Sequence, residues 1–332
     1  MKNLFLAAGL TLATSMASAQ DKPVLTVYTY DSFITDWGPG PAVEKAFEAT
    51  CNCDLNLVGA GDGAALLSRV QLEGARTDAD IVLGLDTNIT ARAKATGLFA
   101  PLSPKPSGLD VPVEWTDDTF APYDWGYFAF VYDNTKLKNP PGSFKELIEA
   151  DDNLKIVIQD PRSSTPGLGL LLWIKTAYPN KADQIWEALA PRILTVTKGW
   201  SEAYGMFLEG EADMVLSYTT SPAYHLIAED DASKSAASFA EGHYMQIEVA
   251  GKLKSTDQPE LADAFLAFMT SDAFQTIIPT TNWMYPAVMP SGGLAKGFEE
   301  LVIPENARLI EADKVPALRD EALAEWLSAL SQ

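Results

Sequence analysis

A buried strand that runs straight into a helix start limits the folds open to this chain more than any other feature. It is clearest at 213–224, Asp-Met-Val-Leu-Ser-Tyr-Thr-Thr-Ser-Pro-Ala-Tyr. Met214, Val215 and Leu216 form a short apolar run, and Ser221 before Pro222 reads as an N-cap with proline at the first helical position. Between them Tyr218, Thr219, Thr220 and Ser221 put four hydroxyls on a turn where free N–H groups and the positive end of a helix point outward, which suits an anionic group.

The pattern occurs earlier as well. A strand at 154–159 meets Asp-Pro-Arg-Ser-Ser-Thr-Pro and an apolar helix from Gly167 to about Ala177. Strand ends in an open α/β sheet converge on the crevice where ligands bind, so one small anion-bearing ligand held between both turns is the first expectation. Plain capping by Ser-Pro and Thr-Pro is the alternative.

A chain of 332 residues suggests about two domains. Residues 1–19 read as a secretory leader: Lys2, an apolar run over 4–13, then Ala17-Ser18-Ala19, with cleavage expected after Ala19. The run is shorter than the roughly 20 residues a membrane span needs. The formal charge is −21 and becomes −22 when Lys2 leaves with the leader, which disfavours nucleic acid and anionic membranes as partners and fits a ligand with a positive charge. The two cysteines, Cys51 and Cys53, would pair in an oxidising compartment, but Cys-x-Cys closes a very short ring, and the pairing is left open. Two thiols make a poor metal site, and none is expected.

In chain order, strands are expected at 24–30, 55–58 and 80–85, with helices at 42–50, 64–73 (Asp62 as N-cap) and 86–96. That βαβαβα order implies a parallel sheet. The stretch 120–132 is too long and aromatic for one ordinary strand, and Pro122 and Gly126 suggest a change of course, so it reads as a crossing between two lobes. A second βα series follows through 144–224, then a strand at 243–249, a helix at 259–269 and a helical tail over 305–330. An exported, acidic, two-lobed α/β chain with no anchor describes a solute-binding protein that closes on its ligand.

Aromatic residues recur where element ends should meet the cleft: Tyr30, Trp37, Trp200, Tyr218, Tyr224, Trp283 and Tyr285. Singly they suit a core; together they suit stacking on a flat, cationic ring. Asp62 could accept from a ring amino group or serve only as a cap. Catalytic signatures are absent: there is no Gly-x-Ser-x-Gly, Walker loop or His-Glu-x-x-His, and neither His225 nor His243 sits beside a nucleophile motif.

These residues resemble the periplasmic thiamine-binding proteins of bacterial ABC importers. The likeness spans the mature chain through the motifs at 22–33, 36–41, 159–162, 164–169 and 195–205, Cys-Asn-Cys, Leu-Ser-Tyr-Thr-Thr-Ser-Pro-Ala-Tyr-His and Asn-Trp-Met-Tyr-Pro. It departs from the familiar pattern at Ala60-Gly61, at Ser163 and after Ala287. The resemblance implies a bilobal periplasmic-binding-protein type II fold: two α/β lobes with central mixed sheets and a ligand cleft between them. Expected boundaries are 20–122 with 245–286 for lobe 1, and 123–244 with 287–332 for lobe 2. It further implies binding of thiamine, thiamine monophosphate and thiamine diphosphate, and delivery to an inner-membrane permease with a cytoplasmic ATPase, with no cofactor. Ligand contacts then fall on Asp62, Gly63, Ser164, Thr165, Trp200, Tyr218, Thr219, Thr220 and Ser221, with aromatic walls at Tyr30, Trp37, Tyr224 and Trp283. Alternatives are a thiaminase-like transferase, which needs an activated cysteine, and an iron or polyamine carrier. Iron carriers look for adjacent tyrosines, which Tyr218-Thr219 breaks; polyamine carriers need several cleft carboxylates, of which only Asp62 stands out.

Overall fold

A computed structural model describes residues 22–331; the expected leader lies outside them. The first βα series runs β1 (Val24–Thr29), α1 (Gly40–Cys51), β2 (Asp54–Gly59), α2 (Gly63–Glu73), β3 (Ile81–Asp86) and α3 (Thr90–Ala95). A long strand β4 (Ala121–Asp133) precedes α4 (Phe144–Glu149), β5 (Ile156–Gln159), α5 (Thr165–Ala177), α6 (Ala182–Leu189), β6 (Ile193–Thr197) and α7 (Trp200–Leu208). Next come β7 (Met214–Tyr218), α8 (Pro222–Ala228), β8 (Lys234–Ala236), β9 (His243–Lys252) and α9 (Pro259–Phe268). The chain closes with α10 (Asp272–Gln275), α11 (Ile278–Thr281), β10 (Tyr285–Pro286), β11 (Ala307–Arg308) and α12 (Val315–Leu330).

The strands follow the order β2-β1-β3-β9-β4-β7-β5-β6. Within each βα series the pairing is parallel, β1 with β2 and β3, and β5 with β6 and β7, because helical crossovers return the chain to the same sheet end. Both lobes are joined through antiparallel pairings of β9 with β3 and β4, and of β4 with β7, so the sheets are mixed. The purely parallel sheet implied by the βαβαβα order therefore holds only inside each series.

The aromatic stretch is one continuous strand and does not break at Gly126. Residues Ala121 to Tyr127 pair with β9 and Phe128 to Tyr132 with β7, so a single strand serves both lobes in turn. Pro122 is accommodated by a register shift between Pro122 and Asp124, where a ladder N–H is not required. Reading this stretch as the crossing agrees with that geometry.

The tail differs from the uniform helix expected over 305–330. Residues Ala307 and Arg308 pair with the start of β9, and the helix begins only at Val315, with proline in its first turn. It packs on α5 and α6. Lys175, buried on α5, anchors it through Glu321 at 2.9 Å and Glu325 at 2.6 Å. Cys51 and Cys53 form a disulfide. Asn52 between them adopts a left-handed φ of 50°, which turns the chain back at the end of α1 and brings the two Cα atoms to 5.2 Å. Among the described residues no helix is long and apolar enough to cross a membrane.

Candidate functional site

The C-terminal ends of the parallel strands and the N-terminal ends of the following helices face one another across a cavity of about 560 Å³. Of the residues named from the sequence, Tyr30, Trp37, Asp62, Thr165, Trp200, Tyr218, Ser221, Tyr224 and Trp283 line it. Gly63, Ser164, Thr219 and Thr220 stand behind its wall.

Each of those four has a visible local role. Ser164 is fully buried and caps α5 by accepting from the Gly167 N–H. Gly63 lets α2 approach the facing lobe: a Cβ there would sit 2.5 Å from Thr165 Cγ2 and 2.6 Å from the Gly84 carbonyl oxygen. Thr219 donates its N–H to the Tyr127 carbonyl at 2.8 Å, and its hydroxyl is buried without a partner. The Thr220 hydroxyl lies 3.6 Å from Met284 Sδ.

Ser221 occupies the N-cap position of α8 but does not cap it by its side chain. Its Oγ instead accepts from the Tyr218 N–H at 3.1 Å and lies 2.7 Å from Ser217 Oγ, which in turn accepts from Trp200 Nε1 at 2.8 Å. This chain of hydroxyls fixes the Trp200 ring, which stacks on Tyr204 at 4.9 Å between centroids. Trp37, from the other lobe and about half exposed, faces Trp200 at 6.4 Å. Tyr224 and Trp283 make an edge contact at 5.4 Å. Tyr30 packs flat on Gly84, where φ is +100° and a Cβ would fall 2.2 Å from the ring.

Asp62 sits where the N-termini of α2, α5 and α7 meet. Its Oδ1 accepts from the Gly63 N–H at 2.7 Å and the Thr165 hydroxyl at 3.4 Å, and its Oδ2 from the Trp200 N–H at 3.3 Å. Burial pushes its carboxyl above the usual range, and hydrogen bonds from Ser164, Gly63, Trp200 and Thr165 oppose the shift. Of the two roles read for Asp62, capping is the one these bonds display, and they reach across the cleft.

Sequence reasoning missed Glu248, Asn282, Lys198, Glu202, Ser163 and Met284, all of which line the cavity. Asn282 opens the Asn-Trp-Met-Tyr-Pro motif and was within reach. Gln246 and Glu248 alternate on one face of the fully buried β9, and two polar residues at period two in the middle of a buried strand were the available signal. Glu248 is the most consequential. It pairs in register with Asp86 of β3 on one side and Asp124 of β4 on the other, so three carboxyls stand in a row across three strands. Asp62 is thus not the one carboxylate that stands out at the cleft.

Two α/β lobes hinged on shared strands, with an aromatic, acid-floored cavity between their helix starts, define a solute-binding protein. Residues 37–276 match the model of the bacterial extracellular solute-binding protein family. The chain is 56% identical over 311 residues to the thiamine-binding periplasmic protein of Escherichia coli (strain K12), covering 94% of each. It is 52% identical over 330 residues to that of Brucella melitensis biotype 1, covering 99% of this chain and 97% of the relative. A solved periplasmic thiamin binding protein superposes with a TM-score of 0.91 at 56% identity, over 94% of this chain and 97% of that one. The chain belongs to the bacterial extracellular solute-binding protein family and, within it, to the thiamine-binding periplasmic proteins.

Proposed function

We infer that this chain binds thiamine in its interlobe cleft in the periplasm and delivers it to an ABC importer. It is a binding protein and not an enzyme, as are the relatives it matches along nearly its whole length. A thiaminase-like reaction lacks its nucleophile, since both cysteines are bonded to each other. The observation that carries the reading is the cavity itself: aromatic faces at Tyr30, Trp37, Trp200, Tyr224 and Trp283 combined with a buried acidic row. Flat π-faces and negative charge together suit a ligand with an aminopyrimidine and a thiazolium cation.

The cleft also accepts thiamine monophosphate and diphosphate, whose anionic end is met by Thr165, Ser163 and the exposed ammonium of Lys198 at the rim. Asp62, Gly63, Ser164, Tyr218, Thr219, Thr220 and Ser221 shape that end, partly from behind the wall. Residues 20–122 with 245–286 form one lobe and 123–244 with 287–332 the other, and the leader leaves after Ala19. The transport partner is a permease driven by a cytoplasmic ATPase. Titration calorimetry of refolded, ligand-free protein with thiamine tests the central statement: saturable one-to-one binding is expected, and no heat beyond dilution overturns it.

A further inference from the structure

Glu248 faces the cavity from the middle of β9, and its carboxylate is held by the neutral side chains of Tyr123, Tyr30 and Gln246 and by a hydrogen bond shared with the neighbouring Asp124 carboxyl. Tyr123 donates its hydroxyl to Oε2 at 2.7 Å and Tyr30 does so at 3.1 Å, while Gln246 Nε2 donates to Oε1 at 2.8 Å. Of its two oxygens, Oε2 accepts from two hydroxyls, whereas Oε1 accepts from a single amide donor. Asp62, a partly buried carboxylate on the wall, is already engaged by two backbone N–H groups and a hydroxyl.

Behind Glu248 the acidic row is held in place from both sides. Asp86 accepts from the Asn88 N–H at 3.0 Å and from Asn88 Nδ2 at 2.8 Å. Asp124 accepts from Asn282 Nδ2 at 2.6 Å, and its other oxygen is buried without a hydrogen-bond donor. Fixing three carboxyls beside one another without a counter-ion is costly. The arrangement makes physical sense where a cationic ligand supplies the missing charge.

We propose that Glu248 is the specificity-determining residue for the amino-substituted ring: its Oε1, aimed by Gln246, accepts a hydrogen bond from the ligand's exocyclic amine, while the row it belongs to faces the ring cation. This inference rests on the thiamine reading above and deepens it. Titratable groups face Glu248 from every neighbouring element: Asp86 from β3, Tyr123 and Asp124 from β4, Tyr30 after β1, Tyr218 from β7 and Asp62 at the start of α2. None is a base. Burial pushes the Glu248 carboxyl up to about 7 and Asp86 up to about 7, and burial with the charge of Glu248 holds Asp124 well above its ordinary range. A bound cation and amine donor favour the ionised form of Glu248, so binding releases a proton near neutral pH and tightens as pH rises.

The experiment is calorimetric titration of the ligand-free full-length mature protein with thiamine and with oxythiamine, which carries a 4-oxo group in place of the amine. Each ligand is run at pH 6, 7 and 8, in buffers of low and of high ionisation enthalpy. The wild type is expected to prefer thiamine by about tenfold or more, the loss of one hydrogen bond to a charged group, and to release protons on binding it. Glu248→Gln should bring the two affinities within about threefold of each other and reduce the proton release to what Asp86 still contributes, since an amide has neither the charge nor the titration. Glu248→Asp, which keeps the charge but withdraws the oxygen by one methylene, should lower the preference while retaining the proton release. Equal wild-type affinities for both ligands, or a preference unchanged in Glu248→Gln, overturn the assignment while leaving the thiamine reading intact. If Glu248→Gln does not fold, absence of proton release by the wild type or an undiminished preference in Glu248→Asp overturns it equally. A wild type that binds neither ligand instead overturns the functional reading itself.

Discussion

The carboxylate of Asp62 bridges the cleft to the backbone N–H of Trp200, 3.3 Å away on the opposite lobe. The same side chain caps its own helix at Gly63 and meets the Thr165 hydroxyl, so one charge satisfies the starts of three helices. Each positive helix end gains from an adjacent negative charge, and a partly buried carboxylate at such a point is held more firmly than one in solvent. Asp62 therefore acts as a latch that favours the closed arrangement of the lobes.

Asp62→Ala should accordingly shift the ligand-free protein towards an open form. Loss of a cap and of charge-assisted bonds costs about 1 to 3 kcal/mol of closure and stability together. Small-angle scattering would read a larger radius of gyration for ligand-free Asp62→Ala than for wild type. An unchanged radius, with a lowered melting temperature, would mean that Asp62 only caps α2.

Trp283 adopts a left-handed φ of 57°, a conformation that bulky side chains rarely tolerate. Its retention at the cleft beside Tyr224 points to work done by the ring. Trp283→Gly should relieve backbone strain and leave the melting temperature equal or higher, while removing stacking and cation-π attraction of about 1 to 3 kcal/mol from thiamine binding. Opposite signs for stability and affinity are what calorimetry and thermal melts should report. A large loss of stability with unchanged affinity would make Trp283 a core residue.

What the sequence displayed, and what it did not, divides along physical lines. Local rules are written in neighbouring residues, so Asp62 before Gly63 was readable as a cap and does cap, while the capping expected at Thr165-Pro166 falls one residue earlier, on Ser164. The apolar runs fixed the βα series, and the length of the aromatic stretch betrayed a crossing. Long-range pairing leaves no such trace. Asp86, Asp124 and Glu248 lie far apart in the chain and become one row only when β3, β9 and β4 pair, through two register shifts. Ser221 looked like a cap because Pro222 follows it, but its oxygen turns back within the same turn to Ser217 and Tyr218. The tail read as helix from 305 because its polar residues suit one; pairing of Ala307 and Arg308 with β9 overrode that preference.

His243 supplies a pH dependence with a definite sign. It is buried, donates from Nδ1 to the Phe128 carbonyl at 2.7 Å, and accepts the Phe239 N–H at Nε2 at 3.0 Å, so the fold holds it neutral. Burial lowers its pKa below the ordinary value. The stability it contributes is thus fully present above its unfolded pKa of about 6.5 and is lost as pH falls below it. Glu248 and Asp86, raised by burial, work in the opposite direction, so the informative quantity is a difference between variants. The fall in urea midpoint between pH 7.5 and pH 5.5 should be smaller in His243→Gln, whose amide can reproduce one donor and one acceptor without titrating. Identical pH slopes would mean that His243 protonates as readily in the fold as outside it.

The proposed recognition of phosphate can be tested separately from ring recognition at the rim. Among the residues lining the cavity Lys198 is the one cation, and it is exposed at the turn from β6 into α7, close to Ser163, whose hydroxyl donates to its carbonyl at 2.6 Å. Ser164 and Thr220 are fully buried and occupied, so removing their hydroxyls would test packing more than ligand contact. The informative substitutions are Lys198→Gln and Thr165→Val, which take away a charge and a hydroxyl at the wall while preserving volume. An exposed ion pair contributes about 0.2 to 1 kcal/mol, so Lys198→Gln should weaken thiamine monophosphate roughly 1.5- to 5-fold and thiamine hardly at all. Raising ionic strength should erase the difference between wild type and Lys198→Gln, since screening acts on exposed charge over a Debye length of about 10 Å at 0.1 M salt. Thr165→Val should add a further loss for the phosphorylated ligand that salt leaves in place, because that hydroxyl is buried. Equal losses for thiamine and its monophosphate at every salt concentration would assign this rim to the rings, and the proposed phosphate contact at Lys198 and Thr165 would fall.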